Sequence, residues 1–226
     1  MARKTPTARA SRSRRPATAR LPAYTPQLAT LVAAAPDSDE WLHEVKYDGF
    51  RMGLVIDDGE IRLLTRNGLD WSRRFAEIIE AARRLPVSSA LLDGEVALEL
   101  ADGRTSFQGL QNASRVGGSL QYFVFDVLWL DGENLAPLPL EQRKARLETL
   151  LLAVDAAPLR YSTHVVGHGA RAHASACRAR LEGIISKRRD APAMEGRSRA
   201  WVKVKCVGRQ EFVIVPPSRG HHGAWR

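Results

Sequence analysis

A lysine closes an apolar stretch in Glu44-Val45-Lys46-Tyr47-Asp48-Gly49-Phe50-Arg51, and an Asp-Gly turn follows it. That pattern presents an amine at a rigid strand end, with Arg51 returning on the next strand. A lysine amine attacks only when neutral, so such a residue needs desolvation or neighbouring cations. Thr65-Arg66-Asn67-Gly68 brings a second arginine into a polar turn. Leu92-Asp93-Gly94-Glu95 sets carboxylates at another strand corner, and Tyr122 to Val127 alternates like a buried strand, with Phe125 inside it. Leu181-Glu182-Gly183-Ile184-Ile185-Ser186-Lys187 opens a strand with an acid and ends it with a base. Trp201-Val202-Lys203-Val204-Lys205 puts two lysines on one face, because strand side chains have period two. Like charges side by side are costly unless an anion lies between them, and a phosphate meets that need. Each string alone is an ordinary turn, strand or core feature; their order carries the information.

The elements that must position these residues are mostly strands. Trp41 to Lys46, Phe50 to Ile56 and Ile61 to Arg66 read as strands, the last two joined by a hairpin at Asp57-Asp58-Gly59-Glu60. The spacing predicts a helix over 72–84, with Ser72 as cap, Phe75, Ile78, Ile79 and Ala82 on one face, and Pro86 beyond its end. Short strands are expected over 90–92 and 96–100, on either side of an Asp93-Gly94-Glu95 turn. Further strands are expected over 121–129, 158–166, 183–188, 200–205 and 210–215, and helices over 140–153 and 170–180. Hairpins mixed with helices predict an α+β fold, with antiparallel sheets packed with helices.

Composition narrows the setting. The 226 residues are enough for a sizeable core, and 44% of them are hydrophobic. No apolar run approaches the roughly 18–20 residues that a membrane span needs. Two cysteines, Cys177 and Cys206, are too few for a disulfide scaffold or a Cys-rich zinc site, so the expected setting is reducing and intracellular. The net charge of +9 invites a nucleic-acid partner, but seven of the basic residues lie within 1–20, which hold no acid. That basic stretch is rich in Ala, Ser, Thr and Pro, and is expected to be a disordered tail able to hold DNA phosphates loosely.

Taken in order, Lys-x-Asp-Gly, Arg-x-Gly, Asp-Gly-Glu, Phe-Asp, Glu-Gly-x-x-x-Lys and Lys-x-Lys resemble the motif set of the covalent nucleotidyltransferases, which include DNA ligases, RNA ligases and mRNA capping enzymes. Trp41 to Gly49, Thr65 to Trp71, Glu182 to Lys187 and Arg197 to Lys205 look like the ATP-dependent DNA ligase module of the bacterial ligase D group, and the resemblance runs from about residue 21 to 214. It implies an ATP-grasp-like adenylation fold over 21–208 and a lysyl-AMP intermediate on Lys46. By the same resemblance Phe125 stacks on adenine, and Glu44 lies along the adenine edge through its backbone. Arg51 and Arg66 hold ribose or phosphate. Glu95 meets the ribose or the metal, Glu182 helps hold the metal, and Lys203 and Lys205 hold the α-phosphate, with Lys187 a lesser candidate for the same pocket. The implied cofactors are ATP and Mg2+ (or Mn2+). The implied partners are nicked or broken double-stranded DNA and an end-joining protein, in the bacterial cytoplasm beside the nucleoid.

One departure qualifies that resemblance. Family ligases follow the Lys-x-Lys strand with an OB-fold domain, whereas the likeness here stops after about residue 214. Residues 209–226 are expected to be the truncated start of that domain. The ordered pocket motifs favour an adenylating ligase core. An RNA ligase, an adenylation-only enzyme and a non-catalytic DNA-binding relic remain as alternatives.

Overall fold

The computed structural model describes residues 20–112 and 117–206. The expectations for the strand over 210–215 and for the segment 209–226 lie outside those residues, as do residues 1–19 of the basic tail expected over 1–20. In chain order the elements are strands β1 (Gln27–Leu31), β2 (Trp41–Val45), β3 (Phe50–Asp57) and β4 (Glu60–Thr65), helix α1 (Ala76–Ala82), strands β5 (Ser89–Glu99) and β6 (Thr105–Ser106), and helix α2 (Phe107–Gln111). There follow β7 (Ser119–Leu130), β8 (Glu133–Asn134), α3 (Leu140–Leu152), β9 (Leu159–Tyr161), β10 (His164–Val166), α4 (Gly169–Arg178), β11 (Gly183–Arg188) and β12 (Gly196–Lys205).

They form two sheets. One runs β1-β12-β11-β2-β10; the other runs β4-β3-β5-β7-β8, with β6 added on β5 and β9 on β7. The α+β expectation therefore holds. Most neighbours are antiparallel, while β1 joins β12 and β9 joins β7 in parallel.

Period two decides what each face does. On β3, β5 and β7, Met52, Leu54, Ile56, Leu92, Val96, Tyr122 and Val124 point into the main core, which Ile78, Leu147 and Leu151 of α1 and α3 complete. The opposite face carries Arg51 beside Glu95 and Glu95 beside Phe123 in register. That second face is partly closed by the lead-in to β1, where Tyr24 packs with Val55, Leu91 and Trp129. In the other sheet Ile184 and Val204 meet Ala176 of α4. The alternate positions Glu44, Ile185 and Lys203 form one cross-strand row, and Leu42, Lys187 and Trp201 form the next. The two rows face the second sheet across a cleft.

Four local expectations are corrected. Ser72 does not cap α1, which starts at Ala76; its hydroxyl instead donates to Asp70 and accepts from the Leu63 amide. Asp93-Gly94-Glu95 is not a turn but the middle of one strand, β5, because pairing with both β3 and β7 outweighs the local turn tendency. Gly94 is required there: a Cβ would meet the Tyr122 ring at 2.6 Å and the Phe123 carbonyl oxygen at 2.7 Å. The stretch 158–166 is two strands in different sheets, β9 on β7 and β10 on β2. Finally, Cys177 and Cys206 are joined by a disulfide, which the composition did not suggest.

Candidate active site

Lys46 follows β2 at the point where the chain crosses from one sheet to the other. Its amide is anchored to the Gly183 carbonyl. The crossing is tight, since a Cβ on Gly49 would lie 2.2 Å from the carbonyl oxygen of Val96. Beside it opens a cleft of about 220 Å3 lined by both sheets. The cleft collects Glu44, Lys46, Arg51, Arg66, Glu95, Phe125, Lys187 and Lys203 of the sequence-derived set. Glu182 and Lys205 stand beside it, linked through Lys46. The Lys46 amine donates to Glu182 Oε2 at 2.5 Å, and the Lys205 amine lies 3.1 Å from Glu182 Oε1. Burial favours the neutral form of Glu182, but Lys46 and Lys205 outweigh it and hold the carboxyl below its usual range.

The two lysines of the Lys-x-Lys strand differ. Lys203 lies in the cleft and forms no ion pair among the described residues, whereas Lys205 already has a carboxylate partner. Burial, then Lys46, then Lys205 push the Lys203 amine below the ordinary lysine range. An added anion would relieve the charge repulsion.

Glu95 carries the complementary feature. Burial pushes its carboxyl up to about 7, against the pull of Arg51 and Lys46. It is a hard oxygen donor in a cationic cleft, so it suits a divalent cation or a ribose hydroxyl. Arg51 is held by Asp93 through two hydrogen bonds of 2.8 and 2.6 Å, and the Tyr24 hydroxyl donates to the same carboxylate at 2.9 Å. Phe125 forms part of the cleft wall, with the Arg51 guanidinium 4.7 Å and the Lys187 amine 4.3 Å from its ring centre. Arg66 reaches the cleft from an exposed turn.

The Glu44 carboxylate is taken up by protein partners. It is buried and bonded to Lys144 at 2.6 Å and Lys187 at 2.7 Å. Burial raises its pKa, and the two lysines more than reverse this, leaving it below the usual value. Burial in turn pushes the Lys187 amine down to about 8, opposed by Glu44 and assisted by Lys144. Lys187 is thus paired with Glu44, and its amine also lies 4.0 Å from the ring centre of Trp201.

Sequence reasoning missed three members of this scaffold. Asp93 was quoted only as part of a corner. Arg143 and Lys144 were overlooked, yet they sit at the third and fourth positions after Leu140, on the same helical stripe as Leu147 and Leu151. Charges inside an apolar stripe were the available signal. Arg143 is fully buried, pairs twice with Asp126 at 2.8 Å, and so fixes β7 next to Phe125.

Breaking a buried pair leaves an uncompensated charge. Lys144→Met is expected to lower unfolding stability by about 3 kcal/mol, near the low end for such losses because Lys187 still meets Glu44. Urea titration checks this, and a change below about 1 kcal/mol would show that the triad contributes little. The pH dependence follows from the lowered Glu44 pKa. Its stabilisation is complete above the ordinary carboxylate range and is lost as pH falls through the lowered folded value. The melting-temperature gap between the wild type and Glu44→Gln should therefore stay constant from about pH 7 to about pH 5 and narrow as pH falls below the ordinary value of 4.5.

Comparison with known proteins places this geometry among relatives. The family model described as ATP dependent DNA ligase domain matches residues 26–205. The chain is 43% identical over 206 residues to the multifunctional non-homologous end joining protein LigD of Pseudomonas aeruginosa, covering 88% of this chain and 24% of that protein. The ligase domain of LigD from M. tuberculosis superposes with a TM-score of 0.71 at 32% identity, over 80% of this chain and 60% of that one. A mycobacterial DNA ligase D complexed with ATP and MES gives a TM-score of 0.69 at 32% identity, with the same coverage of each chain. The chain spans about a quarter of the length of that LigD relative. Among the described residues, no helix is long and apolar enough to cross a membrane.

Proposed function

Because the chain belongs to the ATP-dependent DNA ligase domain family, we propose that Lys46 takes AMP from ATP and passes it to a DNA 5′-phosphate, the preparatory steps of nick sealing in repair and end joining. The observation that carries this reading is the Lys46 amine at the wall of a cleft that also gathers Arg51, Arg66, Glu95 and Lys203. Lys46 Nζ forms a bond to the α-phosphorus as the bond to pyrophosphate breaks, and the amine gives up a proton. A DNA 5′-phosphate oxygen then takes the AMP, which restores the lysine. Displacement of AMP by the 3′-hydroxyl would close the strand. Each step replaces one difficult condensation by an easier transfer.

The residue roles follow from position. Lys203 meets the negative charge that gathers at the α-phosphate, and the Asp93-bound Arg51 and the Arg66 turn hold ribose or phosphate. Phe125 supplies the aromatic wall for adenine, with Glu44 and Lys187 holding that wall in place. Lys205 acts through Glu182. That carboxylate must release Lys46 before the amine attacks, and Lys205 already shares it. Glu95 and Glu182 are the carboxylates we assign to Mg2+ or Mn2+, whose chemistry is to neutralise charge on the phosphates. The proposed substrates are nicked or broken double-stranded DNA, beside an end-joining protein, in the bacterial cytoplasm near the nucleoid.

Incubation with ATP and a duplex bearing one labelled 5′-phosphate at a nick tests the substrate class. An AMP-capped or lengthened strand is expected with an all-DNA nick. Product on an all-RNA nick alone would overturn the DNA assignment in favour of an RNA ligase.

A further inference from the structure

Cys206 directly follows Lys205 at the end of β12, and its disulfide partner Cys177 lies on α4, which packs on the far face of the same sheet. Both cysteines are half-buried, so small thiols can reach them. The imidazole of His173 stands one helical turn before Cys177, with Nε2 3.4 Å from the Cys177 sulfur and 4.0 Å from the Cys206 sulfur. It also lies 3.3 Å from the Lys205 carbonyl oxygen. The Cys206 amide donates to the carbonyl of Glu182 at 2.9 Å. The covalent link therefore ends one residue from Lys205 and one hydrogen bond from Glu182, the carboxylate that holds the Lys46 amine and is shared by Lys205.

We propose that Cys177 and Cys206 are a reversible thiol pair whose oxidation state sets how firmly the end of β12, with Lys205 and the Glu182 contact, is held against α4, and that it thereby tunes lysyl-AMP formation. The effect on catalysis rests on the proposed role of Lys46; the structural effect does not. In the oxidised form α4 and β12 are clipped together behind the sheet. A dithiol reductant opens the clip: its first thiolate attacks one sulfur to give a mixed disulfide and release the other cysteine, and its second thiolate attacks the reductant's own sulfur in that mixed disulfide and displaces the remaining cysteine. The reductant leaves as a disulfide, and Cys177 and Cys206 each gain a proton. His173 is placed to deliver a proton to the departing Cys177 sulfur. A small-molecule disulfide carries out the reverse two-electron oxidation. In the intracellular setting proposed above a disulfide is more often a redox-responsive element than a structural one, and this pairing ties the end of the Lys-x-Lys strand to α4.

The full chain is compared after treatment with oxidised glutathione and after treatment with dithiothreitol. Alkylation and mass analysis count the free thiols, amide exchange reads residues 201–206, and labelled ATP reads the rate of covalent AMP transfer. We expect no free thiol in the oxidised sample and two in the reduced one. Reduction should speed exchange at the Cys206 amide and slow AMP transfer at least about threefold. The double variant C177S/C206S, which has no thiol left, should behave like the reduced wild type and ignore both reagents; if it does not fold, either single variant kept in dithiothreitol should show the exchange of the reduced wild type. Two free thiols after oxidation, or exchange at 201–206 unchanged by reduction, would overturn the proposal. Altered exchange with AMP transfer present but equal in both states would overturn the link to catalysis. Altered exchange with no AMP transfer in any state would sink the adenylation reading and the link that rests on it, while leaving the thiol pair itself established.

Discussion

Lys46→Ala is expected to abolish covalent AMP transfer, a loss of at least about 10^3-fold, because it removes the amine that bonds to phosphorus. The variant should still fold. The Lys46–Glu182 pair is partly exposed, with side chains 21% and 26% accessible, and pairs of that kind contribute at most about 1 kcal/mol. An unchanged melting temperature with no labelled chain would place the loss in the chemistry. Retention of label by Lys46→Ala would show that another side chain carries AMP.

The second large effect separates two lysines that look alike in the sequence. Lys203→Ala is expected to slow AMP transfer about 10^2- to 10^3-fold, the usual loss when one aligned group is removed from a developing phosphate charge. Lys205→Ala should cost less, about tenfold, because Lys205 stands outside the cleft, is half exposed, and works through Glu182. Single-turnover rates at saturating ATP check both. Equal losses would mean that Lys205 swings into the cleft during the reaction, and a larger loss at Lys205 would contradict the assignment.

Much of the candidate site was legible because motif order survives folding. Lys46, Arg51, Glu95, Phe125 and Lys203 are far apart in sequence, yet each was marked by a string with a chemical reason, and all five line one cleft. Less legible were the residues that hold the site in place. Asp93 was hidden inside an apparent turn, because Asp-Gly is a local turn signal and its pairing with two flanking strands is not local. Lys144 and Arg143 were hidden inside a helix whose apolar stripe seemed complete without them. Their partners Glu44 and Asp126 lie on other elements, and only the fold brings them together. The break in 158–166 has the same origin: both halves are strand-like, and the sheet each joins depends on distant edges.

The disulfide shows the opposite limit. Two cysteines 29 residues apart carry no pairing information of their own. Their partnership follows from α4 crossing behind β12, and its closeness to Lys205 and Glu182 could not be read from spacing.

The account's central claim is that the Lys46 amine bonds to AMP. The most direct test is to incubate the folded chain with ATP and Mg2+, or Mn2+, digest it, and locate the adduct by mass spectrometry. An AMP adduct on the peptide containing Lys46, lost on further incubation with pyrophosphate, is the predicted result. No adduct with either metal on a folded chain, or an adduct confined to another residue, would contradict it.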